Sequence, residues 1–318
     1  MTESLRALLA NVIDYAELFP PAKLPLDQAA ENYVRYRQSQ RGWMVGGFVA
    51  PAGQLDNLAN QSAISKLNEL PLCLVATAAE TAEAARDSLR DDFEHVHEFV
   101  DKVSTAYGTQ VRVSVEWRLP PDLAQAESGI PAAVDCLPAD TPVLLEAVYC
   151  EVPLDSAENH ASSLASFQWR TNVQLGLKFR TGGLDAAAFP NSQSLAPAFA
   201  ACLKSGAPWK CTAGLHHPLP RMDSGVNALM HGFVNVLAAS TLGQVHKLDG
   251  ATLQAILETK SAEHFRFDDS GMTCQVGDQE LTASVAQIAA ARKSAMSSFG
   301  SCSCEEPWED LQALGWLG

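Results

Sequence analysis

Residues 176–183, GLKFRTGG, and residues 208–215, PWKCTAGL, decide how this chain folds. Each is a short apolar run with charged or polar residues at alternate positions, closed by small residues that favour a turn, as in a strand that ends in a polar mouth. Between them, SLAPAFAACLKSG (194–206) has apolar residues at helical spacing and stops at Gly206, with Pro208 just beyond. Strand, helix and strand within about 30 residues make one β/α unit.

Five earlier runs share this form: VIDYAELF at 12, WMVGGFVAP at 43, PLCLVAT at 71, VRVSVEWRLP at 111 and PVLLEAVY at 142. The starts of the seven runs step by 31, 28, 40, 31, 34 and 32 residues. Helical stretches LPLDQAAENYVRYRQS and TAEAARDSLRDDFEHVHEFVDKV follow the first and third runs. An eighth strand is read at AMSSFGSCS from residue 295, and EEPWEDLQALGWL after it has the acidic first turn of a helix. The expected fold is α/β: a single-domain (β/α)8 TIM barrel over residues 1–318, with a helical and hairpin insertion at about 220–294 between strands seven and eight. The insertion reads as a long helix (227–247), a shorter one (251–260), a hairpin FRFDDSGMTCQV turning at Asp268 to Gly271, and a helix LTASVAQIAAARKSA. An insertion at that point emerges at the catalytic rim, as a lid or a subunit contact. A doubly wound sheet uses the same grammar, but no glycine-rich nucleotide loop follows any strand.

With 47% hydrophobic and 19% charged residues, the chain can bury a core. A net charge of -15 and a pI near 4.9 argue against nucleic acid and anionic membranes as partners. A small molecule is the expected partner, and a homo-oligomer stays open. The acidic opening, MTESLRALLANVIDYAELFPP, does not read as a secretion signal, and no run of about 18 apolar residues occurs, so a cytoplasmic location is expected. Most of the eight cysteines then read as reduced core residues. Cys302 and Cys304 form a C-x-C without a second ligand pair, so neither metal nor cofactor is expected.

Charge inside apolar strands is costly unless it lines a polar mouth. Glu116 and Arg118 share a face of the fourth run, Lys178 and Arg180 of the sixth, Lys210 and Thr212 of the seventh; Glu146 is a further such position. Side by side in a barrel, two ammonium groups repel, so at least one lysine should be a free amine at neutral pH, able to attack a carbonyl. His216 and His217, directly after the seventh run, suit proton transfer or substrate positioning. Adjacent histidines diverge on an extended chain, and only with Glu116 and Glu146 would they hold a metal. His231, His246 and His264 read as surface residues, and RDDFEHVHEF as a solvated helix face. Asp14, ending the first run, contacts substrate or caps the next turn.

Lys178-Phe-Arg-Thr-Gly-Gly183 followed by Lys210-Cys-Thr-Ala-Gly-Leu215 resembles the paired lysine strands of class I deoxyribose-phosphate aldolases. The resemblance covers about a tenth of the chain. It implies that Lys178 on strand six forms the Schiff base, that Lys210 on strand seven lowers its pKa, and that Glu116 stands for the acid near strand four. Phe299-Gly-Ser-Cys-Ser303 likewise resembles that family's serine-rich phosphate loop, which would let Ser301 and Ser303 hold an anion. The leading expectation is therefore a lyase acting on a small anionic carbonyl compound, phosphorylated or not. Glu116 or His216 would move protons, and Arg118 and Arg180 would bind the anion. The alternatives are a metal-dependent lyase or isomerase on Glu116, Glu146 and a histidine, and a barrel that binds a metabolite without turnover.

Overall fold

A computed structural model describes residues 1–126, 129–137, 145–168 and 171–317. Seven parallel strands come first: β1 (Ile13–Tyr15), β2 (Val45–Pro51), β3 (Glu69–Val75), β4 (Gln110–Arg118), β5 (Leu145–Glu151), β6 (Gln174–Arg180) and β7 (Trp209–Thr212). Five short strands follow: β8 (Arg221–Asp223), β9 (Ala228–Met230), β10 (Phe265–Phe267), β11 (Gly271–Val276) and β12 (Gln279–Ser284). The eighth barrel strand is β13 (Met296–Ser301). The closed order β1-β13-β7-β6-β5-β4-β3-β2 is the expected TIM barrel, and all eight expected runs overlap its strands. Residues 142–144 of the fifth run lie outside the described residues.

Strand parity divides the residues as the pleat requires. On β4, Val111, Val113, Val115 and Trp117 are buried in the apolar core, while Arg112, Ser114, Glu116 and Arg118 occupy the alternate face. Helices cover the barrel with readable ends. Thr81 Oγ1 accepts from Ala84 N at the start of Ala82–Tyr107, and Gly108 closes that helix at φ 69. Asn191 caps Ser192–Ser205 in the same way, and Gly206 ends it at φ 76. The acidic face 90–99 is largely solvated, except that buried Asp92 accepts from Thr77 N and Oγ1.

The two deciding segments touch beyond their strands. Thr181 Oγ1 donates to Ala213 O at 2.6 Å, and a Cβ on Gly182 would stand 2.6 Å from the Cα of Gly214. Only glycine lets these loops approach so closely. Ala213 itself has φ 63, a left-handed conformation unfavourable to alanine.

The insertion departs from expectation. Residues 228–230 form β9, paired with β8, and the helix starts only at Phe233. Residues 281–284 belong to β12, not to a helix: Leu281 and Ala283 are buried while Thr282 and Ser284 are exposed, a period of two. The hairpin turn at 268–271 is as read, but β12 makes it a three-stranded sheet. That sheet is no lid. It packs outside the barrel, where Ser4 N donates to Asp268 O and the rings of Phe265 and Phe267 meet Trp316 edge-on. Helix Phe233–His246 is buried continuously from Phe233 to Gly243 and serves as a barrel helix, with Phe233 stacked on Phe299 of β13. The β8–β9 hairpin is the first element of the insertion after β7.

Candidate active site

The lumen is unlike a barrel filled with branched aliphatics. Gly46, Gly47, Ser114, Ala147 and Ser298 line a cavity of about 390 Å³ that enters from the N-terminal ends of the strands and reaches Asp14, Cys73 and Lys210. Charge crosses the barrel above it. Lys178 and Lys210 are register partners on β6 and β7. Glu116 of β4 binds both, Oε2 to Lys178 at 2.7 Å and Oε1 to Lys210 at 2.5 Å. Lys210 also binds Asp14 of β1 at 2.6 Å, and Lys178 binds Glu151 of β5 at 2.9 Å. Arg180 extends the chain by bonding Glu151 at 3.2 Å. Asp14 is further held by Ser298 Oγ at 2.5 Å and Gly47 N at 3.0 Å. The ring of Tyr149 lies 5.5 Å from the Lys210 ammonium, a cation–π distance.

This arrangement overturns the free-amine expectation. The two lysines do not face each other bare, because three carboxylates surround two ammonium groups. Burial alone would push Lys210 down, but Asp14 and Glu116 hold it well above its ordinary value. Burial likewise opposes charge on Lys178, and Glu116 and Glu151 outweigh it. Burial would raise Glu116, yet the two ammonium groups hold its carboxyl at about 2. Both lysines are therefore charged at neutral pH in the free protein.

The other expected residues separate into distinct places. Glu146 is exposed near the N-terminal rim and pairs with Arg112 at 3.1 Å, far along β5 from the lysines. It does not join Glu116, so the alternative Glu116–Glu146–histidine metal site is not formed. Asp14, Cys73 and Glu116 do bring three donor atoms within 4.8 Å of one another, but the Lys210 ammonium already bonds two of them. Arg118 and Arg180 end β4 and β6 at the C-terminal mouth, both exposed. Thr212 ends β7, and its carbonyl accepts from Thr181 N.

At the rim, His216 Nδ1 lies 3.0 Å from Glu306 Oε2 and its Nε2 lies 3.8 Å from Cys302 Sγ, while His217 Nδ1 lies 2.6 Å from Asp310 Oδ2. His216 is thus engaged with the rim groups. His231 is buried against Pro190 O, contrary to the surface expectation, whereas His246 and His264 are exposed. The serine loop is also engaged: Ser301 Oγ donates to Ser303 O, and Ser303 Oγ accepts from Glu306 N. With Glu305 and Glu306 in the first turn of Glu305–Ala313, that helix terminus is already acidic and ill suited to phosphate.

Glu151, Tyr149, Cys73 and Ser298 join the site without standing out in the sequence. Parity marks the first: Glu151 stands two residues beyond Tyr149 on the lumen face of β5. No helix among the described residues is long and apolar enough to cross a membrane. Neither a family model, nor a curated protein, nor a solved structure matches the chain. Fold and site define a β/α barrel whose lumen holds a continuous lysine–carboxylate chain.

Proposed function

We propose that the protein is a lyase that forms a Schiff base between Lys178 and a small anionic carbonyl compound entering from the C-terminal mouth. The supporting observation is the position of the Lys178 ammonium between Glu116 and Glu151, at 2.7 and 2.9 Å, two strand residues below exposed Arg180. Either carboxylate is placed to take the proton that Lys178 must lose before its nitrogen attacks. Lys210, locked between Asp14 and Glu116, holds the Glu116 carboxylate in place beside Lys178. Glu116 then returns the proton to the carbinolamine hydroxyl as water leaves, and the resulting imine draws electrons from the bond to be broken. Arg118 and Arg180 supply positive charge at the mouth for the anion.

A second reading, a barrel that binds a metabolite without turnover, is favoured by the same ion pairs, which keep both lysines charged in the free protein. Borohydride reduction with a panel of small aldehydes and ketones decides between them. A reduced adduct mapped to Lys178 and lost in Lys178→Met is the expected result. Turnover without any trapped adduct would sink the Schiff-base lyase. Binding with neither turnover nor adduct leaves the non-catalytic barrel.

A further inference from the structure

We propose that Cys302, His216 and Glu306 form a nucleophilic thiol site on the C-terminal rim that adds reversibly to small aldehydes. Three separate segments build it. Cys302 directly follows β13, His216 lies in the loop after β7, and Glu306 lies in the first turn of Glu305–Ala313. The sulfur stands 3.8 Å from His216 Nε2, and His216 Nδ1 stands 3.0 Å from Glu306 Oε2. Nucleophile, imidazole and carboxylate in that order are what activation of a weak nucleophile requires: the carboxylate fixes the ring, and the other ring nitrogen manages the sulfur's proton. Burial would lower His216, but its bonds to Cys302 and Glu306 raise it to about 10. The imidazole therefore favours its protonated form beside the sulfur.

The bland reading is that His216 merely ties the β7 loop to the following helix. The neighbouring residue shows what that looks like: His217 bonds Asp310 at 2.6 Å, one turn further along the same helix. His216 differs in placing its second nitrogen against a thiol. Cys302 also differs from its kind, since the other seven cysteines are buried and it alone is partly exposed.

The step is an addition. Sulfur bonds the carbonyl carbon, the C=O π pair moves to oxygen, His216 Nε2 gives its proton to that oxygen, and the proton lost from sulfur restores the ring. The product is a neutral thiohemiacetal, with no redox change and no leaving group. The choice of aldehyde rests on the Schiff-base reading, whose products or substrates share this mouth; the nucleophilic thiol does not depend on it.

The test is iodoacetamide labelling of the native protein at pH 7, followed by intact mass and peptide mapping. We expect one label, on Cys302, added at least tenfold faster than to the urea-unfolded chain and slowed about tenfold by His216→Gln or Glu306→Gln, with circular dichroism confirming the fold. Equal rates in the native and unfolded chains would overturn the thiol site even if both variants failed to fold. Glycolaldehyde should slow the labelling reversibly, and equally so in Lys178→Met. Protection absent from both proteins overturns the aldehyde assignment. Failure of borohydride trapping alone would instead strike only the Schiff-base reading.

Discussion

Lys178 and Lys210, register partners on adjacent strands, bind opposite oxygens of one carboxylate, Glu116, at 2.7 and 2.5 Å. Removing that charge while keeping the shape leaves each ammonium with one carboxylate, Glu151 for Lys178 and Asp14 for Lys210, and sets the two buried cations against each other across a neutral amide. Breaking a buried pair by deleting one partner costs about 3–5 kcal/mol. Because Asp14 and Glu151 remain, Glu116→Gln is expected to lower the stability measured by urea unfolding by no more than that amount and by more than an exposed pair would. A loss below about 1 kcal/mol, the range of an exposed pair, would refute the shared-carboxylate account.

The same group sets the acid limb. Glu116 is depressed to about 2 in the folded protein, against about 4.3 for an unfolded glutamate. Its contribution is complete above the unfolded value and is lost as pH falls through the folded one. Lys178 and Lys210 are raised, so theirs is complete below the ordinary lysine range and is lost only as pH rises through their folded values. Thermal unfolding midpoints should thus fall between about pH 4.5 and 2, more steeply in the native sequence than in Glu116→Gln. Parallel acid limbs in the two proteins would contradict this.

The barrel was legible because apolar runs recur at β/α spacing and alternation survives in the strands that carry charge: the charged residues of β4 and β6 keep one parity and the apolar ones the other. Lys178 and Lys210 could be paired for the same reason. Their charge state could not, because it depends on Glu151 and Asp14, which reach them from β5 and β1. Reading the fifth run as ending at Tyr149 hid Glu151, although parity pointed to it. Leu281 and Ala283 look helical in a sequence rich in alanine, and only pairing with β11 imposes period two. The contact between Cys302 and His216 joins loops 86 residues apart, and no local spacing encodes it.

Ala213 offers a test of backbone strain. At φ 63 an alanine pays about 1–2 kcal/mol for its Cβ, while glycine gives back roughly 0.5–1 kcal/mol in unfolded-chain entropy. Ala213→Gly should therefore raise stability by up to about 1 kcal/mol, read as a higher urea midpoint at unchanged slope. Destabilisation beyond about 0.5 kcal/mol would show that the methyl group contributes packing that outweighs the strain.

Lys210 is itself the cation of a three-donor cluster. Its ammonium lies 2.6 Å from Asp14, 2.5 Å from Glu116 and 4.0 Å from Cys73, whose donor atoms lie within 4.8 Å of one another. Shortening the side chain in Lys210→Ala removes the ammonium and leaves two carboxylates and a thiol around the space it filled. Three protein ligands and one open position suit zinc, which binds sulfur as thiolate and so overcomes the burial that raises the Cys73 thiol. Lys210→Ala is expected to retain about one zinc per chain after dialysis, measured by elemental analysis, and to gain thermal stability with added zinc. Adding Cys73→Ser should remove both effects. A Lys210→Ala protein that is folded yet takes up no zinc would mean that the lysine holds these groups together and does not simply occupy a preformed site.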